Sequence, residues 1–148
     1  MPGSPDDASP EAFADALVDF VRAFGLLDPD RTPCGAPMPT AEAHALTVLR
    51  QGRLAQRVLG ERLSLTKSTT SRLVDQLVAR GWADRAPDPG DGRAQLVGLT
   101  EEGVRVAADV ARRRADRLGR LLDRVPKSRR PGVIRALRLL EEASHEEK

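Results

Sequence analysis

Residues 55–81 read Ala55-Gln56-Arg57-Val58-Leu59-Gly60-Glu61-Arg62-Leu63, then Ser64-Leu65, then Thr66-Lys67-Ser68-Thr69-Thr70-Ser71-Arg72-Leu73-Val74-Asp75-Gln76-Leu77-Val78-Ala79-Arg80-Gly81. The pattern predicts two helices with a turn of two residues between them, the second capped by Thr66 and ended by Gly81. Helices joined so tightly must approach each other, so the fifth position from Gln56 needs almost no side chain, and Gly60 stands there. The inward positions are then Leu59, Leu63, Leu65, Thr70 and Leu73. Thr70 departs from the β-branched apolar residue that would suit its place best, and Ser64 occupies a turn position that glycine would relax. In the second helix Thr70, Leu73, Val74, Leu77 and Val78 are expected to face inward. Lys67, Ser68, Ser71, Arg72, Asp75 and Gln76 are expected to face out. From this spacing alone a plain helical hairpin in a bundle stays open.

The period changes after Gly81. Trp82–Ala86 and Arg93–Leu99 are short extended runs around the turn-forming cluster Pro87-Asp88-Pro89-Gly90-Asp91-Gly92, which predicts a β-hairpin. Helix, tight turn, helix and hairpin make a winged helix-turn-helix. The fold class is therefore mainly α, with a small β-hairpin wing and flanking dimerisation helices. Lys67-Ser68-Thr69-Thr70-Ser71-Arg72 is a run of short hydroxyls bracketed by cations, and Thr66 before it and Gln76 one turn after it join the candidate DNA-binding residues. Hydroxyls and helix N-terminal amides bond phosphate oxygens, and Arg can reach guanine in the major groove as a two-pronged donor. Ser and Thr are poor helix formers, so a merely solvated helix would carry Glu, Lys and Gln instead. Asp91 and Gly92 support the wing tip, where Arg93 could enter a narrow minor groove. The bland reading of Arg93 alone is an ordinary hairpin cation.

Outward from this unit, Thr40 is expected to cap a helix over about 41–51, and Asp28–Pro39 must be a loop because of its prolines. A helix over about 10–27, capped by Ser9, carries Phe13, Leu17, Phe20, Val21 and Phe24 on one stripe. Residues 1–10 read as a disordered polar lead. Beyond the hairpin, Thr100 with Glu101 and Glu102 starts a long helix reaching about Val125, and a last helix covers about Arg129–Ala143. We divide the chain into 11–39 (dimerisation), 40–100 (winged helix, DNA binding) and 101–148 (dimerisation). Stripes at Phe13–Phe24 and at Val133, Ile134, Leu137 and Leu140 would favour association if a second copy covers them. The alternative is that they cover each other within one chain.

Composition narrows the function. The chain has 148 residues, 40% of them hydrophobic and 31% charged, which fits one globular domain. No run reaches the ~18 apolar residues of a membrane helix, and no basic start precedes an apolar core, so a cytoplasmic protein without membrane or export signals is expected. The single cysteine excludes an internal disulfide, and aromatics at 3% argue against base-stacking platforms. Net charge is +2, but residues 1–50 hold three basic against eight acidic residues, residues 51–100 eight against five, and residues 101–148 thirteen against nine. That gradient suits a phosphate-rich partner, with ordinary solvated helix faces as the alternative. No Gly-rich phosphate loop, paired carboxylates or nucleophile motif points to an enzyme, and no catalytic residue, metal site or cofactor is expected.

Leu63-Ser64-Leu65-Thr66-Lys67-Ser68-Thr69-Thr70-Ser71-Arg72-Leu73-Val74, then Leu77…Gly81-Trp82, Asp88-Pro89-Gly90-Asp91-Gly92-Arg93 and Leu99-Thr100-Glu101-Glu102-Gly103 resemble the MarR family of bacterial transcriptional regulators over roughly residues 40–125. The resemblance implies a homodimer on double-stranded DNA, with a recognition helix over about Thr66–Arg80, a wing over Trp82–Leu99 and Arg93 as its minor-groove residue. It also implies repression of an inverted-repeat operator relieved by a small-molecule effector, an oxidant or a metal. A winged-helix dimer used only for protein contacts is the alternative, although it should lack the exposed hydroxyl–Arg face and the wing Arg. Cys34 and His44 are the residues that could sense something. Zinc-sensing relatives also use a loop Cys and helix Glu and His, which here would be Cys34, Glu42 and His44, but no His lies between 100 and 125. Without Tyr or a second Cys nearby, and with Arg31 the only close cation, Cys34 reads as a quiet loop residue.

Overall fold

The computed structural model describes residues 8–146. Its elements are α1 (Pro10–Phe24), α2 (Thr40–Leu49), β1 (Leu54–Ala55), α3 (Gln56–Leu63), α4 (Lys67–Ala79), β2 (Ala83–Asp88), β3 (Asp91–Leu99), α5 (Glu101–Asp123), a 3-10 turn (Lys127–Arg129) and α6 (Arg130–Glu146). Residues 1–7 of the expected polar lead lie outside the described residues. Two compact units divide within α5, Met1–Arg113 and Arg114–Lys148.

In the first unit the helix-turn-helix forms as its spacing requires. An ideal Cβ on Gly60 would lie 2.6 Å from Thr70 Oγ1, so only glycine allows this approach of α3 to α4. Thr70 is buried, and the departure it represents in sequence is reconciled by its hydroxyl donating to Thr66 O at 2.8 Å. Ser64 closes α3 in the left-handed region at φ 56°, a conformation that costs a non-glycine residue roughly 1 kcal/mol. Thr66 caps α4, its hydroxyl accepting from Thr69 N at 3.3 Å. Leu59, Leu73, Val74 and Leu77 are buried against Leu46, Leu49 and Ala45 of α2, Val97 of β3 and Ala107 and Val110 of α5. Each fully buried Leu contributes about 2 kcal/mol. Leu63 and Leu65 are half-buried at the edge of this core.

Several expected boundaries move. α1 stops at Phe24, not Leu27, because Gly25 takes φ +87° and caps the last turn with its N–H to Arg22 O. Ser9 caps its start, accepting from Ala12 N. Thr40 lies inside α2 and Pro39 precedes it, so Thr40 is not the cap. Ala55, expected in the helix, instead pairs as β1 with β3, which makes a three-stranded sheet in the order β1-β3-β2. Two residues are too short to show a period-2 pattern. The wing strands reach further toward the tip than expected, leaving only Pro89-Gly90 between them, with a bulge at Pro87/Asp88, while β2 starts at Ala83 and Trp82 lies outside it. Val78 faces out and Ser71 is half-buried, since the apolar stripe of α4 ends at Leu77.

The start of α5 is fixed against the end of the recognition unit. Thr100 Oγ1 donates to Gly81 O at 2.6 Å, accepts from Gly103 N at 3.0 Å, and Thr100 N donates to Trp82 O at 3.1 Å. A Cβ on Gly103 would stand 1.8 Å from Trp82 O, which explains a glycine in the first helical turn. Further along, Asp109 receives Arg113 and Arg112, and these hydrogen bonds, Arg113's first, hold its carboxyl below the ordinary aspartate value. Arg113 also donates to Gly35 O at 3.2 Å, tying the Pro-rich loop to α5. In the second unit Arg130 closes the α5–α6 turn by donating to Val125 O at 3.0 Å. No residue of α1 or α6 is buried.

Gly60→Ala should lower stability by about 1–3 kcal/mol, because Thr70 cannot withdraw without giving up its bond to Thr66 O. Gly103→Ala should cost at least as much, since the obstacle is backbone. Gly119→Ala, with nothing within 4 Å of the added Cβ, should raise stability by about 0.5–1 kcal/mol. Denaturant unfolding of the three variants checks this order.

Candidate nucleic-acid interface

The hydroxyl face of α4 is organised by its own first turn. Thr66 Oγ1 donates to Thr69 Oγ1 at 2.9 Å and lies 3.3 Å from Ser68 Oγ. Thr66 and Thr69 therefore serve the cap, while Ser68 is exposed and Ser71 half-buried. Lys67, Arg72 and Gln76 are exposed on the same helix. At the wing, Gly90 N donates to Asp88 Oδ1 at 2.8 Å and Arg93 N to Asp91 Oδ1 at 3.0 Å. Asp91 thus orders the backbone from which the exposed Arg93 side chain projects, with Gly92 between them in β3.

The charges of residues 51–100 sort into two groups. Arg53 pairs with Asp84, Arg57 with Glu61, Arg80 with Glu42 and Arg85 with Asp75, and Arg62 donates to Gln51 Oε1 at 3.0 Å. Of the eight cations in this stretch, that leaves Lys67, Arg72 and Arg93. Among the described residues their side chains make no hydrogen bond or ion pair within the chain. The five acids are all engaged, Glu61, Asp75 and Asp84 in ion pairs and Asp88 and Asp91 on backbone amides. An unpaired cation on a fixed helix or a capped wing is available to an external anion at no cost in broken pairs. That combination is what phosphate and base-edge contacts require.

One anchor of α4 was not visible in the sequence. Glu42, 2% exposed on α2, faces Arg80 with Nε to Oε2 at 3.0 Å, and Arg80 lies over the Trp82 ring at 4.8 Å. The two residues are 38 positions apart, and a Glu in a first helical turn reads as an ordinary dipole partner.

The sensing candidates do not come together. Glu42 and His44 stand two positions apart on α2 and so point to different sides, Glu42 buried and His44 exposed. Among the described residues no group of three or more His, Cys, Asp or Glu is placed to hold a metal ion. Cys34 is half-buried in a turn closed by Thr32, with Gly35 N donating to Thr32 O at 2.9 Å and Ala36 N to Thr32 Oγ1 at 3.0 Å. Arg31, the cation nearest in sequence, donates to Gly35 O at 3.2 Å.

Comparison with known proteins decides the class. A model described as MarR family matches residues 36–94. An HTH-type transcriptional regulator of Mycobacterium bovis is 30% identical over 96 residues, covering 64% of this chain and 67% of its own length. The chain belongs to the MarR family. The multiple antibiotic resistance protein MarR of Escherichia coli K12 is 41% identical over 44 residues, 30% of this chain and 31% of its own length. Among solved structures, the PcaV transcriptional regulator from Streptomyces coelicolor, in complex with its natural ligand, matches at 26% identity and a TM-score of 0.71, covering 97% of this chain and 99% of that one. Sco3205, a MarR family transcriptional regulator from Streptomyces coelicolor in complex with DNA, shares the fold at a TM-score of 0.75 and 23% identity, covering 93% of this chain and 92% of that one. This MarR-family protein is accordingly a winged-helix, DNA-binding transcriptional regulator, from a family of regulators rather than enzymes. No helix among the described residues is long and apolar enough to cross a membrane.

Arg72→Ala should cost about 1–3 kcal/mol of binding and relax the preference at one base position. Arg93→Ala should weaken binding most on sites with AT-rich flanks. Quantitative titration on a selected and a random duplex separates these outcomes from a loss of plain phosphate contacts, which would be equal on both. Cys34→Ser should leave DNA affinity within about twofold, or ~0.4 kcal/mol, and operator release by peroxide should be the same in both proteins.

Proposed function

We propose that this MarR-family regulator is a homodimeric repressor that binds an inverted-repeat operator in double-stranded DNA and releases it when a small-molecule effector binds. The observation that carries the reading is the charge sorting in the winged helix. Within residues 51–100, Lys67 and Arg72 on α4 and Arg93 on the wing are the cations left free once the ion pairs and the Arg62–Gln51 bond are formed. In the proposed complex α4 enters the major groove. Arg72 and Gln76 address base edges there, and Thr66, Lys67, Ser68, Thr69 and Ser71 lie along the phosphates. Arg93 enters the adjacent minor groove, where the negative potential is greatest, with Asp91 and Gly92 shaping the tip. Such work on DNA places the protein in the cytoplasm.

Dimer formation has support of its own. Phe13, Leu17 and Phe20 of α1 and Val133, Ile134, Leu137 and Leu140 of α6 are all exposed. Apolar area of this extent favours covering by a second copy at about 25 cal/mol per Å2. The effector part of the proposal is supported by the relative PcaV, described in complex with its natural ligand. Among the described residues Cys34 and His44 belong to no group of three or more His, Cys, Asp or Glu placed to hold a metal ion.

Footprinting on the DNA flanking its own gene should reveal a protected inverted repeat with half-site centres about 10 base pairs apart, and light scattering should give a dimer at micromolar concentration. No protection at low salt on any promoter DNA would replace this reading with a winged-helix dimer devoted to protein contacts, and a monomer in solution would overturn the two-fold symmetric site.

A further inference from the structure

Burial along the wing falls off toward its tip. In β2, Ala83 is buried, and among the residues from Arg85 onward only Ala86 and Asp88 are even half-buried. In β3, Val97 and Gly98 are buried, while Asp91, Gly92 and Arg93 are exposed. Apolar packing thus fixes the base of the hairpin and leaves its distal half without a core. A two-stranded ribbon in that condition would swing, and Arg93 would swing with it.

Two ion pairs stand at the point where the core ends, and they leave β2 from adjacent residues, hence from opposite faces of the strand. On one face Asp84 meets Arg53 Nη2 at 2.6 Å. Arg53 lies just before β1, at the other edge of the sheet, and its side chain must cross β3 to reach Asp84. It crosses over Gly98, the residue paired with Asp84, where any Cβ would stand 2.6 Å from Arg53 Cγ and 2.8 Å from its guanidinium. On the other face Arg85 Nη2 meets Asp75 Oδ1 at 2.5 Å. Asp75 is on the outward face of α4, one turn beyond Arg72.

The geometry points to Asp75 and Arg85 as positioning residues for DNA recognition, which fix the span between the recognition helix and the wing and so set how far apart the major-groove and minor-groove elements of the operator must lie. Arg53 and Asp84, crossing at Gly98, hold the same strand from behind. The inference rests on the proposed mode of DNA binding through α4 and the wing. Asp75–Arg85 is partly exposed, so it adds little to folding, and its effect is on the angular freedom of the ribbon. Arg85 is held by α4 and is not a phosphate contact, although its charge and place would suit one.

The test uses full-length protein and a duplex recovered by the wild type from a random-sequence pool, with and without one base pair inserted between the half-site and its AT-rich flank. One base pair displaces the flank by about 3.4 Å along the helix. Wild type should lose about tenfold in affinity on insertion, and Asp75→Asn and Arg85→Gln less than about twofold. Thermal midpoints should stay within about 2 °C of wild type, because exposed pairs contribute little. The exchanged pair, Asp75→Arg with Arg85→Asp, should restore the insertion penalty. Spin labels at Ser68→Cys and Gln95→Cys in a Cys34→Ser background should give one narrow distance distribution, broadened by Asp75→Asn. An unchanged insertion penalty in the single variants, or a distribution no broader with Asp75→Asn, would overturn the inference. So would a large fall in thermal midpoint, which marks a merely structural pair. A wild type that selects no duplex defeats the DNA-binding mode itself, and the label distances still decide whether the pair fixes the wing.

Discussion

The close approach of α3 and α4 at Gly60 and Thr70 is the constraint on which the rest of the winged helix depends. With no side chain on Gly60, Thr70 can sit against the α3 backbone and turn its hydroxyl to Thr66 O. This sets the angle between the helices, and the angle decides which residues of α4 face the core and which face out. Leu73, Val74 and Leu77 go inward, and Lys67, Arg72 and Gln76 are left on the surface. The turn accepts a strained Ser64 to achieve it. A second close approach, Gly103 on Trp82 O, fixes where α5 departs.

Electrostatics completes what packing begins. Four of the eight cations in residues 51–100 are paired with acids, three of them across elements that packing brings close. Arg80 is held on buried Glu42 at the end of α4, and Arg85 is held by Asp75 in its middle. Pairing of this kind removes charge from places where it would bind anions without specificity. The positive potential is then concentrated at Lys67, Arg72 and Arg93, on two elements of defined geometry. Selectivity for a duplex follows from which cations are engaged as much as from which are free.

Much of this was legible in the sequence. The helix-turn-helix could be read from Gly60 and the leucine spacing, because tight approach and burial leave direct marks on residue type. The caps at Ser9 and Thr66 and the wing at Pro89-Gly90 are equally local. Helical spacing places Lys67, Arg72 and Gln76 on the outward face, and all three are exposed. What could not be read depends on partners distant in the chain. β1 exists only because β3 offers Leu54 and Ala55 an edge, and Glu42 is buried only because Arg80 arrives from 38 residues away. The ion pairs at Asp84 and Arg85 are invisible for the same reason, and Val78 followed the α4 pattern one position past the end of the core.

Amide chemical-shift mapping of the labelled full-length protein, titrated with its selected duplex, tests most directly whether this surface binds DNA. The largest changes should fall over residues 67–76 of α4 and 88–93 of the wing, with lesser ones at Ser64 and Leu65. Changes concentrated in residues 114–146, with α4 and the wing silent, would contradict DNA binding by this surface.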